Sequence, residues 1–229
     1  MDKQDLKKHV DAIIEKTFFR LSNAYKHKEG YTKTPITCPQ KKECRLVFPA
    51  YYKDKEKNGT RISEQELRFC FVEALNDYCD TKGLNLFYSI ETPTIDKYSG
   101  FTKKEGCNPK PNSDGGRSAE FDLVIFDEKL KRKCLIEFKA NNADEHEHLK
   151  DFVKLNNSEE GGDDVLRYFI EVIKSYTEGD STKRTVGSLK KKLKINNGAI
   201  FYCYALEGKS DRRSKGDVQG ENISDIINK

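Results

Sequence analysis

Two short runs, FDLVIF (Phe121–Phe126) and CLIEFKA (Cys134–Ala140), decide the fold. Both are rich in aliphatic and aromatic residues, and the charged turn DEKLKRK separates them. Their apolar residues fall on both faces, the pattern of central strands covered on each side. Three charges interrupt them: Asp122, Glu137 and Lys139. Residues two apart on a strand share a face, so Glu137 and Lys139 project together while Phe138 points the other way. A carboxylate or ammonium buried there needs a partner or a metal. The turn centres near Lys129 and Leu130, so a symmetric antiparallel hairpin pairs residues whose numbers sum to 259. Asp122 then faces Glu137, with Lys139 diagonal to them. Opposed like charges destabilise a strand pair. A divalent cation between them reverses the sign, and converging hard oxygen ligands suit Mg2+ or Mn2+. For any one of the three a salt bridge is the simpler reading; the three together, in this order, favour a site.

Working outward, the N-terminal segment carries Leu6, Val10, Ile13, Ile14, Thr17, Phe18, Leu21 and Tyr25 at helical spacing, with Gly30 as its stop. Residues 31–59 read as a Lys-rich loop broken by Pro35, Pro39 and Pro49, with a short strand expected around Arg45–Phe48. A helix is expected from near Ile62 to Gly83. Ser63 is its N-cap, Glu66 completes a capping box, and Leu67, Phe71, Ala74, Leu75 and Tyr78 form its apolar side. Leu84–Glu91 follows as a strand. Thr92–Ser118, rich in Pro, Gly, Asn and Lys, reads as one long loop. After the two central strands the pattern predicts a helix at Asp144–Leu155, a break at Gly161–Gly162 and a helix at Asp163–Tyr176. A basic loop then leads to a last strand, Ala199–Leu206. Residues 1–60 are thus an extension, 61–207 the core, and 208–229 a polar tail expected to fray.

Hydrophobic and charged residues each make up 35% of the 229, and 42 basic against 38 acidic side chains leave a net charge of +4. That balance does not mark a nucleic-acid binder; its distribution is more telling. Between Ser181 and Leu206 stand Lys183, Arg184, Lys190, Lys191, Lys192 and Lys194 with no acid, a run whose default reading is a solvated loop. The start MDKQDLKKHV has no apolar signal core, and no run is apolar enough to span a bilayer. Seven scattered cysteines fit reduced thiols and a cytoplasmic location. Cys38 and Cys44 are half of a zinc spacing with no second pair, and His146 and His148, two apart on a helix, read as solvated charge. Gly115-Gly116 and Gly161-Gly162 lack the context of a nucleotide loop.

Asp122 followed by Glu137-Phe138-Lys139 is a D-x14-E-x-K pattern. On two adjacent buried strands it resembles the PD-(D/E)xK, or restriction-endonuclease-like, nucleases. Phe121 stands where that family's proline would precede the aspartate. The resemblance implies an α/β fold with an αβββαβ core, a central mixed four-stranded sheet flanked by helices, here with an extra N-terminal helix. It covers roughly two-thirds of the chain. Glu64-Gln65-Glu66-Leu67 looks like the E-x-E-L helix start of archaeal Holliday-junction resolvases, which points to Glu64 as a further functional carboxylate. Glu64 precedes Leu67 by three residues and Phe71 by seven, at the edge of the inward face, whereas Glu66 serves the capping box.

The implied activity is metal-dependent phosphodiester hydrolysis, with DNA favoured as partner. Asp122, Glu137 and the Phe138 carbonyl would hold Mg2+ or Mn2+, Lys139 would orient water and stabilise charge, and Glu64 would support a second ion or a bound water. The basic run from Lys183 to Lys194 would contact nucleic acid. Two other readings share these residues: a non-catalytic nucleic-acid-binding module and a protein-interaction domain.

Overall fold

Leu6, Val10, Ile13, Ile14, Phe18 and Leu21 return on one side of helix α1 (Lys3–Lys26), and all are buried. The structure, a computed structural model, describes residues 1–26, 46–53, 55–102, 108–111, 114–141, 143–178, 185–209 and 220–228. Helix α2 (Glu64–Lys82) packs beside α1. Its start is fixed as its sequence dictates: Ser63 donates its backbone N–H to the Glu66 carboxylate at 2.8 Å. Gly83 closes it in the left-handed region, φ 63°, which costs glycine no Cβ strain. Arg20 of α1 ties the pair by donating to Glu73 at 2.9 Å and to Asp77. A separate hairpin, β1 (Ala50–Lys53) with β2 (Glu56–Thr60), precedes α2.

The main sheet has seven strands: β3 (Phe87–Ser99), β4 (Lys110–Pro111), β5 (Arg117–Phe126), β6 (Arg132–Ala140), β7 (Leu166–Ile173), β8 (Ile200–Ala205) and β9 (Glu221–Asn222). Their spatial order is β4-β3-β5-β6-β7-β8-β9. The strands β3, β5 and β6 form an antiparallel meander, while β6, β7 and β8 run parallel. Parallel neighbours need crossovers; α3 (Glu145–Leu155) makes the first and α4 (Val186–Leu193) the second. A last helix, α5 (Ser224–Asn228), follows β9.

Two apolar layers result. Leu123, Ile125, Ile136, Phe138, Tyr168 and Ile170 meet α1 and α2 on one face. Phe121, Val124, Leu135 and Phe169 meet α3, α4 and α5 on the other, through Phe152, Leu155, Leu189 and Ile227. The molecule is therefore an α/β protein with a mixed sheet flanked by helices on both faces. Helix α1 also reaches the far end of the chain: Phe18 stacks on Tyr204 at 4.8 Å, and Tyr168 donates to Asp11 at 2.7 Å. Among the described residues no helix is long and apolar enough to cross a membrane.

Several expected elements differ. Residues 163–176 hold strand β7 rather than a helix, and Ala199–Leu206 therefore supplies the fifth strand of the core, not the fourth. The span read as one loop from Thr92 to Ser118 contains the second half of β3, the short β4 and the start of β5, with Lys97 paired to Ser118. Pro93 has no ladder hydrogen to give, and the β3 register shifts between Pro93 and Lys97. The strand expected at 45–48 begins at Ala50 instead. The tail does not fray at 220–228: Ile223 and Ile227 are buried against β8 and α4. Gly30, Cys38 and Cys44 lie outside the described residues.

Candidate active site

The β5–β6 ladder pairs Leu123 with Ile136, Val124 with Leu135 and Ile125 with Cys134, the register expected from the turn. It stops there, one pair short of Asp122 and Glu137. Alternation also breaks at this point. Phe121 packs on the α3 side, although a strict two-residue repeat would send it with Leu123 to the other. Across β3 the neighbouring position is Glu91, whose φ of 47° interrupts the pairing between Ile90 and Thr92. The strands part, and the Asp122 carboxylate turns into the gap, where its Oδ2 accepts the Phe138 N–H at 2.7 Å. Asp122 and Glu137 are thus on adjacent antiparallel strands as expected, but the aspartate replaces the ladder instead of facing the glutamate across it.

Both sides of this mouth contribute charge. From α2, Arg68 donates to Asp122 Oδ1 at 2.6 Å and to the exposed Glu91 at 3.2 Å. Also from α2, Glu64 Oε1 lies 3.5 Å from Lys139 Nζ. Glu66 instead points back to Ser63 and Arg61, as its capping role requires. From α3, Asp151 and Lys154 enter between the strands. Lys139 Nζ is 2.7 Å from Asp151 Oδ2 and donates to the Phe138 carbonyl at 3.1 Å. Lys154 Nζ lies 2.5 Å from Glu137 Oε1 and 3.1 Å from Asp151 Oδ1, and donates to the Glu120 carbonyl at 2.8 Å. Neither Glu137 Oε1 nor Asp151 Oδ2 has an aligned hydrogen bond.

Burial sets the electrostatics. Glu137, 2% exposed, has its pKa raised well above the usual carboxylate range by desolvation and by Asp151 and Asp122, against the pull of Lys154. Burial also raises Glu64; Lys139 opposes that rise, and Asp122 and Asp151 add to it. Desolvation works against the Lys139 ammonium, but Asp151, Glu137, Glu64 and Asp122 outweigh it and raise its pKa. Lys154 is raised in the same way by Glu137 and Asp151. Asp151 is the acid of this group held below its usual value, because two lysines overcome its burial.

Four side chains singled out in the sequence (Glu64, Asp122, Glu137 and Lys139) are therefore brought together, with the Phe138 backbone between them. Asp151, Lys154 and Arg68 were missed. A signal for the first two existed: His148, Asp151, Phe152, Lys154 and Leu155 share the inward side of α3, where a charge needs a reason. His148 is not solvated but 1% exposed, with Nε2 3.0 Å from Glu171 and Nδ1 2.9 Å from the Asp144 carbonyl. His146 contacts the Phe101 carbonyl at 3.3 Å. Of the basic run, Lys190, Lys191 and Lys192 lie on α4 rather than in a loop, and Lys194 caps it. Lys183 and Arg184 lie outside the described residues. Helix α4 covers the same sheet face as α3; Lys192 donates to the Ala143 carbonyl at 2.5 Å, and Lys191 is 3.8 Å from Glu145. Compared with known proteins, the chain matches no family model, no curated protein and no solved structure.

Proposed function

We propose that the chain is a metal-dependent nuclease that hydrolyses phosphodiester bonds, with DNA as the favoured substrate and a core of the restriction-endonuclease-like type. One observation carries this reading. Where β5 and β6 part, Glu64, Asp122, Glu137 and Lys139 converge from a helix and two adjacent strands. The order α2, β3, β5, β6, α3, β7 supports it as well, matching the αβββαβ order that the resemblance implies, with β7 in the last place that was expected for Ala199–Leu206.

The residues fit a hard divalent cation. Asp122, Glu137 and the Phe138 carbonyl offer oxygen donors only, and Glu137 Oε1 is a buried acceptor without an aligned hydrogen bond. When bound, Mg2+ or Mn2+ supplies Lewis acidity, activating water and offsetting charge that develops on the phosphate. Lys139, kept protonated by its carboxylate neighbours, acts as a fixed positive charge rather than as a base. Its contacts to Asp151 and Glu64 aim the ammonium at the mouth. Glu64 stands opposite, on the α2 side, to receive a water or the proton that a water gives up. Incubation with plasmid, single-stranded DNA and RNA, each with Mg2+, Mn2+ or EDTA, tests the proposal. Cleavage that needs the metal and is lost in Glu137→Gln is the expected result; no cleavage under any of these conditions overturns it.

A second reading has its own support. Arg68 on Asp122 and Lys154 on Glu137 already give each carboxylate a partner, as a self-contained network in a non-catalytic binding module would. In that case Glu137→Gln changes the melting temperature and nothing else.

A further inference from the structure

We propose that Lys154 is a built-in counter-ion that moves from Glu137 to Asp151 when a divalent cation binds, and so sets how tightly the site takes metal. The inference rests on the metal-dependent reading above. Five carboxylates meet here, Glu64, Glu91, Asp122, Glu137 and Asp151, against three cations, Arg68, Lys139 and Lys154. The acidic groups outnumber the basic ones, a balance that suits an added cation. An ion drawn in by that surplus still finds Glu137 occupied, since the Lys154 ammonium lies 2.5 Å from Oε1.

Lys154 cannot leave as an ordinary surface lysine would. It is 6% exposed, so swinging it into water means dismantling α3. Asp151 offers the other route. It lies one turn earlier on the same helix, with Oδ1 3.1 Å from Nζ, so a small side-chain movement completes the exchange. A divalent ion that takes over the Glu137 oxygens leaves Asp151 as the anion still within reach of Lys154. Asp151 keeps Lys139 on its other oxygen, so the exchange leaves Lys139 in place. The Glu120 carbonyl, 2.8 Å from Nζ, serves as the pivot.

Mn2+ titration of the full chain, followed by the electron paramagnetic resonance of free Mn2+, tests this alongside melting curves with and without Mn2+. Lys154→Met keeps length and removes charge. It is expected to bind Mn2+ about tenfold or more tighter than the parent. Its metal-free form should melt earlier, with Glu137 left alone, and Mn2+ should restore the loss. Asp151→Asn takes away the second position and should weaken Mn2+ binding, by less in the Lys154→Met background than alone. Equal Mn2+ affinity in parent and Lys154→Met overturns the proposal, as does binding by neither. If Lys154→Met folds only with Mn2+ present, the proposal gains; if it folds in neither condition, Asp151→Asn decides by binding more weakly or as the parent does. Cleavage is scored apart from this: a chain that shows the affinity difference and cuts no nucleic acid loses its nuclease assignment and keeps the exchange.

Discussion

At the scale of single residues, Lys139 separates catalysis from architecture. Removing a positioned charge of this kind lowers rate by about 10²–10³. Breaking a buried pair costs about 3–5 kcal/mol when the remaining charge is orphaned. Asp151 still has Lys154 at 3.1 Å, so Lys139→Ala should fall below that range in stability while losing nearly all cleavage. Thermal melts and cleavage rates on one preparation check both; a large loss of stability in a chain that never cleaved would favour the purely structural network. Glu64 supplies a pH test. Its folded pKa is raised, so its proton stabilises the fold fully below the unfolded value, and that contribution is lost as pH rises through the folded value. Glu64→Gln removes the dependence. The melting temperature of the variant minus that of the parent should therefore climb from about pH 4.5 upward; a flat or falling difference contradicts the assignment. Glu64, Asp122, Glu137 and Lys139 were legible because each is a charge set against an apolar pattern. Arg68 was not, since it is ordinary on a helix until Asp122 is placed 2.6 Å from it.

Elements show where pattern reading stops. Leu166, Phe169, Ile170 and Ile173 fit helical spacing, yet they form β7, buried on both faces between β6 and β8. A strand covered on two sides has no alternation to reveal it, and a short apolar run serves either structure. The second half of β3 was hidden by the opposite cause: it is an outer strand with polar residues, a proline and a register shift. The helices whose ends carry explicit caps were read to within a residue or two. Helix α3 is one: Asp144 accepts the Glu147 N–H at 2.9 Å, and that bond holds its pKa below the ordinary 3.8. Asp144→Ala should destabilise the protein by about 1 kcal/mol at neutral pH. The depressed acid stabilises above its unfolded pKa and loses that effect as pH falls through the folded value, so the gap should close below pH 3.8. Paired melts at neutral and acid pH measure it. Because α3 carries Asp151 and Lys154, the same variant should also loosen the site.

For the whole molecule, the arrangement of charge matters more than its total. Helix α4 sets Lys190 and Lys191 on the sheet face that α3 covers, while Lys192 is committed to the Ala143 carbonyl. Lys190→Glu with Lys191→Glu should weaken nucleic-acid binding, and the slope of log affinity against log salt should drop by about 1 for each phosphate no longer neutralised. Unchanged slopes in a filter-binding series would return α4 to a solvated helix. The packing of α1 has a different consequence, in time. Part of its inward side is closed by strands made much later, with Phe18 on Tyr204 and Asp11 on Tyr168. At about 5–20 residues per second, a ribosome needs roughly 10–35 s to carry the chain from the end of α1 to β8. For that interval a finished helix, with α2 beside it, waits for the partners of Phe18 and Asp11, a ready substrate for a holding chaperone. Nascent chains halted before β7 should expose α1 to protease and chaperone, and chains released past β8 should withdraw it.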